Sequence, residues 1–220
     1  MTVLITGATR GIGRALATHA AERGGKVVAT YRGASAPDIK AIEWHGLDVT
    51  DPLSHQHLSD RLADRPLSLL VCNAGIYLEK GQQLERDYPA EDWAETFAVN
   101  VTGVFLTIQS LLPQVRAGKG KIAIISSQMG SDTNASGGSY IYRASKAAVL
   151  NLGRNLAVDL RSEGIPVGIY HPGWVQTDMG GHYAQITPQE AAQGLLQRFS
   201  VLSLKTSGCF ECWDGRAHPF

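Results

Sequence analysis

The stretch Val3-Leu4-Ile5-Thr6-Gly7-Ala8-Thr9-Arg10-Gly11-Ile12-Gly13 decides the fold. Its first half is apolar at successive positions rather than at every second one, as in a strand covered on both faces. Its second half spaces three glycines as G-x-x-x-G-x-G and leads into 11–23, a helical pattern that Gly24-Gly25 can stop. Strand, glycine turn and helix in that order open a βα unit. Glycines at such a junction let the backbone turn tightly and approach a diphosphate, which the free N–H groups and dipole of a helix N-terminus favour. No G-x-x-x-x-G-K-[ST] occurs, which argues against an ATPase.

Outward from this junction the alternation repeats. Apolar runs at 27–30, 67–72, 121–126 and 167–170 are separated by helical patterns at 52–63, 91–116 and 140–163. In 91–116, Trp93, Phe97, Val101, Val104, Ile108 and Leu111 recur three and four apart and define one apolar face. Alternating strands and helices with short connections build right-handed βαβ units, so the expected fold is α/β, a Rossmann-type doubly wound parallel sheet. No repeat, linker or shift in composition divides the chain.

Composition narrows the function. Apolar residues are 44% and charged residues 18%, which suits a packed core. Lys+Arg and Asp+Glu number 20 each, so the basic surplus that nucleic acid or an anionic membrane surface demands is missing. No apolar run approaches the roughly 18–20 residues of a membrane span, and the start is too short and uncharged for a signal peptide. Three cysteines are too few for a disulfide scaffold. A cytoplasmic protein is expected.

The second strand chooses among dinucleotides. Sites for NAD place an acidic residue about 20 positions beyond the glycine loop, where it binds the ribose 2′-hydroxyl. Here the strand ends Ala29-Thr30-Tyr31-Arg32, without an acid. Arg32 and Arg10 can together clamp a 2′-phosphate, since guanidinium binds phosphate bidentately. NADP(H) is therefore expected in preference to NAD(H).

The chemistry gathers further along. Tyr142 and Lys146 stand one turn apart on one helix face. A phenol with pKa near 10 is a poor acid or base at neutral pH until something stabilises phenolate. An ammonium ~4 Å away, at an effective dielectric constant of ~20, could lower it by as much as ~3 pH units. The strand at 121–126 ends in Ser126-Ser127, at the sheet edge where doubly wound folds bind ligands, and either hydroxyl could bond a substrate carbonyl. Asn100, within Phe97-Ala98-Val99-Asn100-Val101, is a buried amide that needs a partner.

These residues resemble the short-chain dehydrogenase/reductase family over nearly the whole chain. Its T-G-x-x-x-G-I-G is Thr6 to Gly13, its adenine-side D-V is Asp48-Val49, and its N-A-G is Asn73-Ala74-Gly75. Its helix asparagine is Asn100, its I-S-S is Ile125-Ser126-Ser127, its Y-x-x-x-K runs from Tyr142 to Lys146, and its P-G-x-V-x-T is Pro172-Gly173-Trp174-Val175-Gln176-Thr177. Tyr140 to Lys146 and the ending Asp214-Gly215 are similar to C-factor and sniffer-type carbonyl reductases. The resemblance implies Tyr142 as general acid/base, Lys146 as its pKa tuner and ribose ligand, Ser127 to orient the carbonyl, and Asn100 to hold a relay water. It implies cofactor contacts at Gly7, Thr9, Arg10, Gly11, Ile12, Gly13, Arg32, Asp48, Val49, Asn73, Ala74, Gly75, Tyr142 and Lys146. Pro172, Gly173, Val175 and Thr177 complete that set.

On this reading residues 1–220 form a single dinucleotide-binding catalytic domain, 1–125 mainly the cofactor half and 126–220 the catalytic helix and substrate loops. Fifteen positions separate Ser127 from Tyr142, two more than is common in the family, so Ser126 stays a candidate. Only ten residues lie between Thr177 and the helix expected near Pro188, which leaves a stub where relatives carry a substrate lid.

The expected activity is NADP(H)-dependent reduction of an aldehyde or ketone, or oxidation of the corresponding alcohol. The expected partners are a small-molecule substrate and further copies of the chain, as dimer or tetramer, with no nucleic acid and no membrane. The alternative is an NADP(H)-binding regulatory or signalling protein with little turnover. A serine hydrolase would need G-x-S-x-G, which is absent. Cys209 and Cys212 have redox-motif spacing but lie in a strand-like segment rather than at a helix start, and read as structural. His55 and His57 read as a solvated helix face, and no metal is expected.

Overall fold

Each of the five apolar runs forms a parallel strand. The structure, a computed structural model, describes all residues except Ala34, Lys80, Arg86 and Asp87. In chain order the elements are β1 (Thr2–Ile5), α1 (Gly11–Glu22), β2 (Lys26–Tyr31), β3 (Ile42–Gly46), α2 (Pro52–Leu62), β4 (Leu69–Cys72) and α3 (Ala90–Phe97). They continue as α4 (Gly103–Ala117), β5 (Lys121–Ile125), α5 (Tyr140–Asp159), β6 (Val167–His171), α6 (Pro188–Val201) and β7 (Phe210–Cys212). The seven strands form one parallel sheet in the order β3-β2-β1-β4-β5-β6-β7, the doubly wound arrangement expected. Strand order reverses between β1 and β4, and the carboxyl ends of those strands define the crevice where such sheets take ligands.

Successive strand residues feed opposite layers. Leu4, Val28, Leu70, Ile122 and Ile124 join a core with Leu58 and Leu62 of α2, Ile108 and Leu111 of α4 and Val149 of α5. Their neighbours Ile5, Val27, Ala29, Val71 and Ala123 join the opposite core with Leu16 and Ala17 of α1 and Leu195 and Phe199 of α6. With both faces covered, an apolar residue is needed at nearly every position, which is why these runs read as continuous. The helix starts are written locally: Asp51 accepts from Leu53 N–H beside Pro52, and Thr187 and Glu190 cap each other reciprocally beside Pro188.

Three expectations need correction. The helical pattern at 91–116 is interrupted by a π turn over Ala98–Thr102, and the extra residue rotates the buried face. Thr96 before the turn and Val99 and Asn100 within it are the buried side chains, while Trp93 is exposed; from Val104 onward Ile108 and Leu111 follow the expected spacing. Within Ala90–Ala117 an 18-residue window is also apolar enough to pass as a membrane span by length and composition. Here Val104, Ile108, Leu111 and Val115 bury it in the core instead. His55 is buried rather than solvated, with Nε2 at 3.0 Å from the Val49 carbonyl oxygen, whereas His57 is exposed as expected.

Candidate active site

The turn from β1 into α1 is shaped by what presses on it. Gly7 has φ +63°, and a Cβ there would lie 2.8 Å from the Ala74 Cα. At Gly13 a Cβ would meet the Gly7 carbonyl oxygen at 2.4 Å and Asn73 Nδ2 at 2.5 Å. The N-A-G segment after β4 ties this turn down. Asn73 Nδ2 donates to the carbonyls of Thr6 (3.0 Å) and Gly7 (3.1 Å), while Thr6 Oγ1 accepts the N–H groups of Asn73 and Ala74. The first turn of α1 has neither a side-chain cap nor an acidic residue among the described residues, and its leading N–H groups have no partner within the helix. Close backbone approach and open donors at a helix N-terminus fit a dinucleotide's diphosphate.

A cleft of about 1160 Å³ runs from this turn to the catalytic candidates. Its walls include Gly7, Thr9, Arg10, Gly11, Ile12 and Gly13 from the turn, Arg32 and Val49 at one end, and Asn73, Ala74 and Gly75 along the floor. Tyr142, Lys146, Pro172 and Thr177 line the other end. Asp48, Gly173 and Val175 lie off the walls. Asp48 turns its carboxylate to Thr50, whose N–H and hydroxyl, helped by Arg32, hold it below the usual carboxylate range. Val175 is buried and bridges to Ile186. Arg10 pairs with Asp178 at 2.9 Å, both side chains largely exposed, so the glycine turn and the segment after β6 are joined across the cleft mouth.

Tyr142 and Lys146 are both nearly buried, at 8% and 5% exposure. Lys146 Nζ donates to the Ile125 carbonyl at 3.1 Å and sits 5.5 Å from the centroid of the Tyr142 ring. Burial lowers the lysine to about 8. It pushes the tyrosine well above its ordinary value; a hydrogen bond with Ser127 pulls the other way, and Tyr77 and Glu79 add to the rise. Burial thus dominates the phenol, and the lowering expected from the Lys146 ammonium is not among the effects acting on it. The two serines divide: Ser126 Oγ donates to the Lys146 carbonyl at 3.0 Å, whereas Ser127 Oγ accepts from Met129 N–H at 3.1 Å and favours the phenolate of Tyr142.

Asn100 stands in the π turn, fully buried, and every polar atom of its amide is used. Oδ1 accepts from Ile76 N–H (2.9 Å), and Nδ2 donates to the Ile76 carbonyl (2.9 Å) and to Ser145 Oγ (3.0 Å). It therefore clips the loop after β4 to α5, one residue from Lys146.

The comparisons with known proteins agree with this architecture. A family model described as short chain dehydrogenase matches residues 1–186. The chain belongs to the short-chain dehydrogenase family. As a member of it, this protein is an oxidoreductase. It is 34% identical to the 1-hydroxy-2-glutathionyl-2-methyl-3-butene dehydrogenase of Rhodococcus sp. (strain AD45), over 97% of each chain. The solved structure of an NADPH-bound carbonyl reductase from chicken fatty liver superposes with a TM-score of 0.89 at 31% identity, covering 100% of this chain and 98% of that one. The carbonyl reductase Sniffer of D. melanogaster superposes with a TM-score of 0.91 at 26% identity, covering 100% and 99%.

Around the catalytic candidates of this short-chain dehydrogenase stand residues that carry no motif. The Tyr77 ring packs on the Tyr142 ring, centroids 4.5 Å apart, and its hydroxyl meets Ser139 Oγ at 2.5 Å. Glu79 accepts the Tyr142 N–H. Met179 Sδ lies 4.0 Å from Tyr142 Oη. The short segment after Thr177 is thus more than the stub expected: Trp174 Nε1 donates to the Gly180 carbonyl, Gln176 Nε2 to the Ala184 carbonyl, and the fold-back carries Met179 to the phenol. Cys209 and Cys212 are free thiols raised by burial, so the redox spacing has no thiolate behind it.

Proposed function

We propose that this short-chain dehydrogenase is an NADP(H)-dependent carbonyl reductase acting on an aldehyde or ketone, with alcohol oxidation as its reverse. The observation that carries the reading is one cleft lined both by the glycine turn, Gly7 to Gly13, and by Tyr142 and Lys146. Similarity to carbonyl reductases, one of them bound to NADPH, supports it.

The glycine turn and the first N–H groups of α1 would hold the diphosphate. Arg32, with Arg10 released from Asp178, would meet the 2′-phosphate. Val49, Asn73, Ala74, Gly75, Pro172 and Thr177, which line the cleft, would complete the cofactor's surroundings. When bound, the dinucleotide supplies hydride to a carbonyl carbon or accepts it from an alcohol. Tyr142 gives its proton to the carbonyl oxygen during reduction and takes one back during oxidation. Ser127 donates to the same oxygen and fixes its approach; Ser126 is committed to the helix backbone. Lys146 presents its ammonium behind the phenol and towards the ribose. Asn100 holds the loop after β4 in place against α5.

The reading includes a cytoplasmic homo-oligomer, dimer or tetramer. The test is a carbonyl panel followed by NADPH absorbance. Saturable NADPH consumption with at least one aldehyde or ketone is expected. Tight NADPH binding without turnover across the panel would replace this reading with a regulatory one.

A further inference from the structure

Glu79 has no place in the motifs, yet it is among the most buried charged groups of the described residues, at 1% exposure. A carboxylate taken out of water needs a compensating partner. Among the described residues Glu79 has no cation, and its Oε2 is buried without a hydrogen-bond partner. Its Oε1 accepts the backbone N–H of Tyr142 at 2.5 Å, across 63 positions of sequence.

That contact meets a need of α5. Ser139 occupies the cap position with φ +50°, in the left-handed region, and makes no side-chain cap bond because its hydroxyl is engaged with Tyr77. The first turn of α5 also lacks an acidic residue. The third N–H of the helix, the usual target of a capping side chain, belongs to Tyr142 itself. Glu79 supplies from outside both the missing acceptor and the negative charge that a helix N-terminus favours.

We propose that Glu79 is a positioning residue for Tyr142: its carboxylate caps the catalytic helix at the tyrosine's own N–H and sets a buried negative charge behind the phenol, biasing the site toward proton donation. This rests on the reading of Tyr142 as the acid/base. The groups that bear on the phenol are Tyr77 and Glu79 from the loop after β4, Ser127 from the end of β5 and Lys146 one turn along α5; Tyr88 and Tyr140 pack together beyond them. Of these, Glu79 and Tyr77 oppose phenolate and Ser127 favours it. Reduction needs a phenol that still has its proton. Oxidation needs phenolate, which the carboxylate disfavours.

The experiment compares pH–rate profiles for alcohol oxidation and carbonyl reduction in the full-length protein and in Glu79→Gln, Glu79→Asp, Glu79→Ala and Tyr142→Phe. Gln keeps the acceptor for the Tyr142 N–H and loses the charge. Its oxidation profile should move about one pH unit to lower pH, a rise of roughly tenfold in oxidation on the acid limb, with NADPH affinity unchanged. Asp keeps the charge and should return the profile to that of the unmodified protein. Ala loses the cap and should fall in thermal stability as well. Superimposable profiles for Glu79→Gln and the unmodified protein overturn the proposal. So does an equal loss in Gln, Asp and Ala in both directions at every pH, which marks a purely structural group. A Tyr142→Phe protein with substantial turnover would instead overturn the acid/base reading beneath it.

Discussion

Asn100→Ala removes three hydrogen bonds at once and leaves the N–H and C=O of Ile76 without partners. A backbone group stripped of its partner in the interior costs about 1–3 kcal/mol. Ile76 is only half-buried and lines the cleft, so water can partly solvate both groups and each belongs at the low end of that range. Adding the lost bond to Ser145, which sits next to Lys146, gives about 2–3 kcal/mol in total. For a chain of this length that corresponds to a fall in melting temperature of about 5–10 °C. Activity should drop further than folding does, because Asn100 also fixes the loop that carries Tyr77 and Glu79 to the catalytic helix. The assay pairs thermal unfolding followed by circular dichroism with kcat measured well below the transition. A variant that melts within about 2 °C of the unmodified protein would refute the reasoning that this amide is a cross-tie.

Arg32→Asp should lower the ratio of NADPH to NADH affinity at least tenfold, about 1.4 kcal/mol, since it removes a charge-assisted bond and adds repulsion. Equal dissociation constants for the two cofactors in the unmodified protein would contradict this. His171 is held at about 4, by burial first and then by His218 and Arg216, below its ordinary 6.5. The unfolded chain therefore binds the extra proton as pH falls from 6.5 to 4, and stability drops through that window by roughly 2–3 kcal/mol. Urea unfolding of His171→Asn at pH 7 and pH 4.5 should show that much less loss, and an identical loss in both proteins would refute the assignment.

The strands were legible because burial on both faces demands apolar residues throughout, and β1, β2, β4, β5 and β6 all show such runs. The edge strand β3 (Ile42–Gly46) alternates buried and exposed positions over Ile42, Glu43 and Trp44 and ends in a glycine, so no run announces it. The π turn at Ala98–Thr102 was hidden for a different reason. Trp93, Phe97 and Val101 keep an α-helical spacing, but one extra residue per turn moves the inward face onto Thr96, Val99 and Asn100. In the cleft, glycines showed themselves by type and spacing because close backbone approach tolerates no Cβ. Tyr77, Glu79 and Met179 reach Tyr142 through irregular loops, where neither period nor motif links positions that lie 65, 63 and 37 residues apart.

The most direct test of the central claim is the pairing of turnover with cofactor binding in Tyr142→Phe, measured on the best carbonyl substrate from the panel. The geometry predicts a loss of at least ~100-fold in kcat, the range expected for general acid help, with the NADPH dissociation constant within about twofold of the unmodified protein. On the proposed reading Lys146 also meets the ribose, so Lys146→Ala should impair both quantities. A Tyr142→Phe protein that keeps a tenth or more of the original kcat would contradict the account and remove this phenol from the proton transfer.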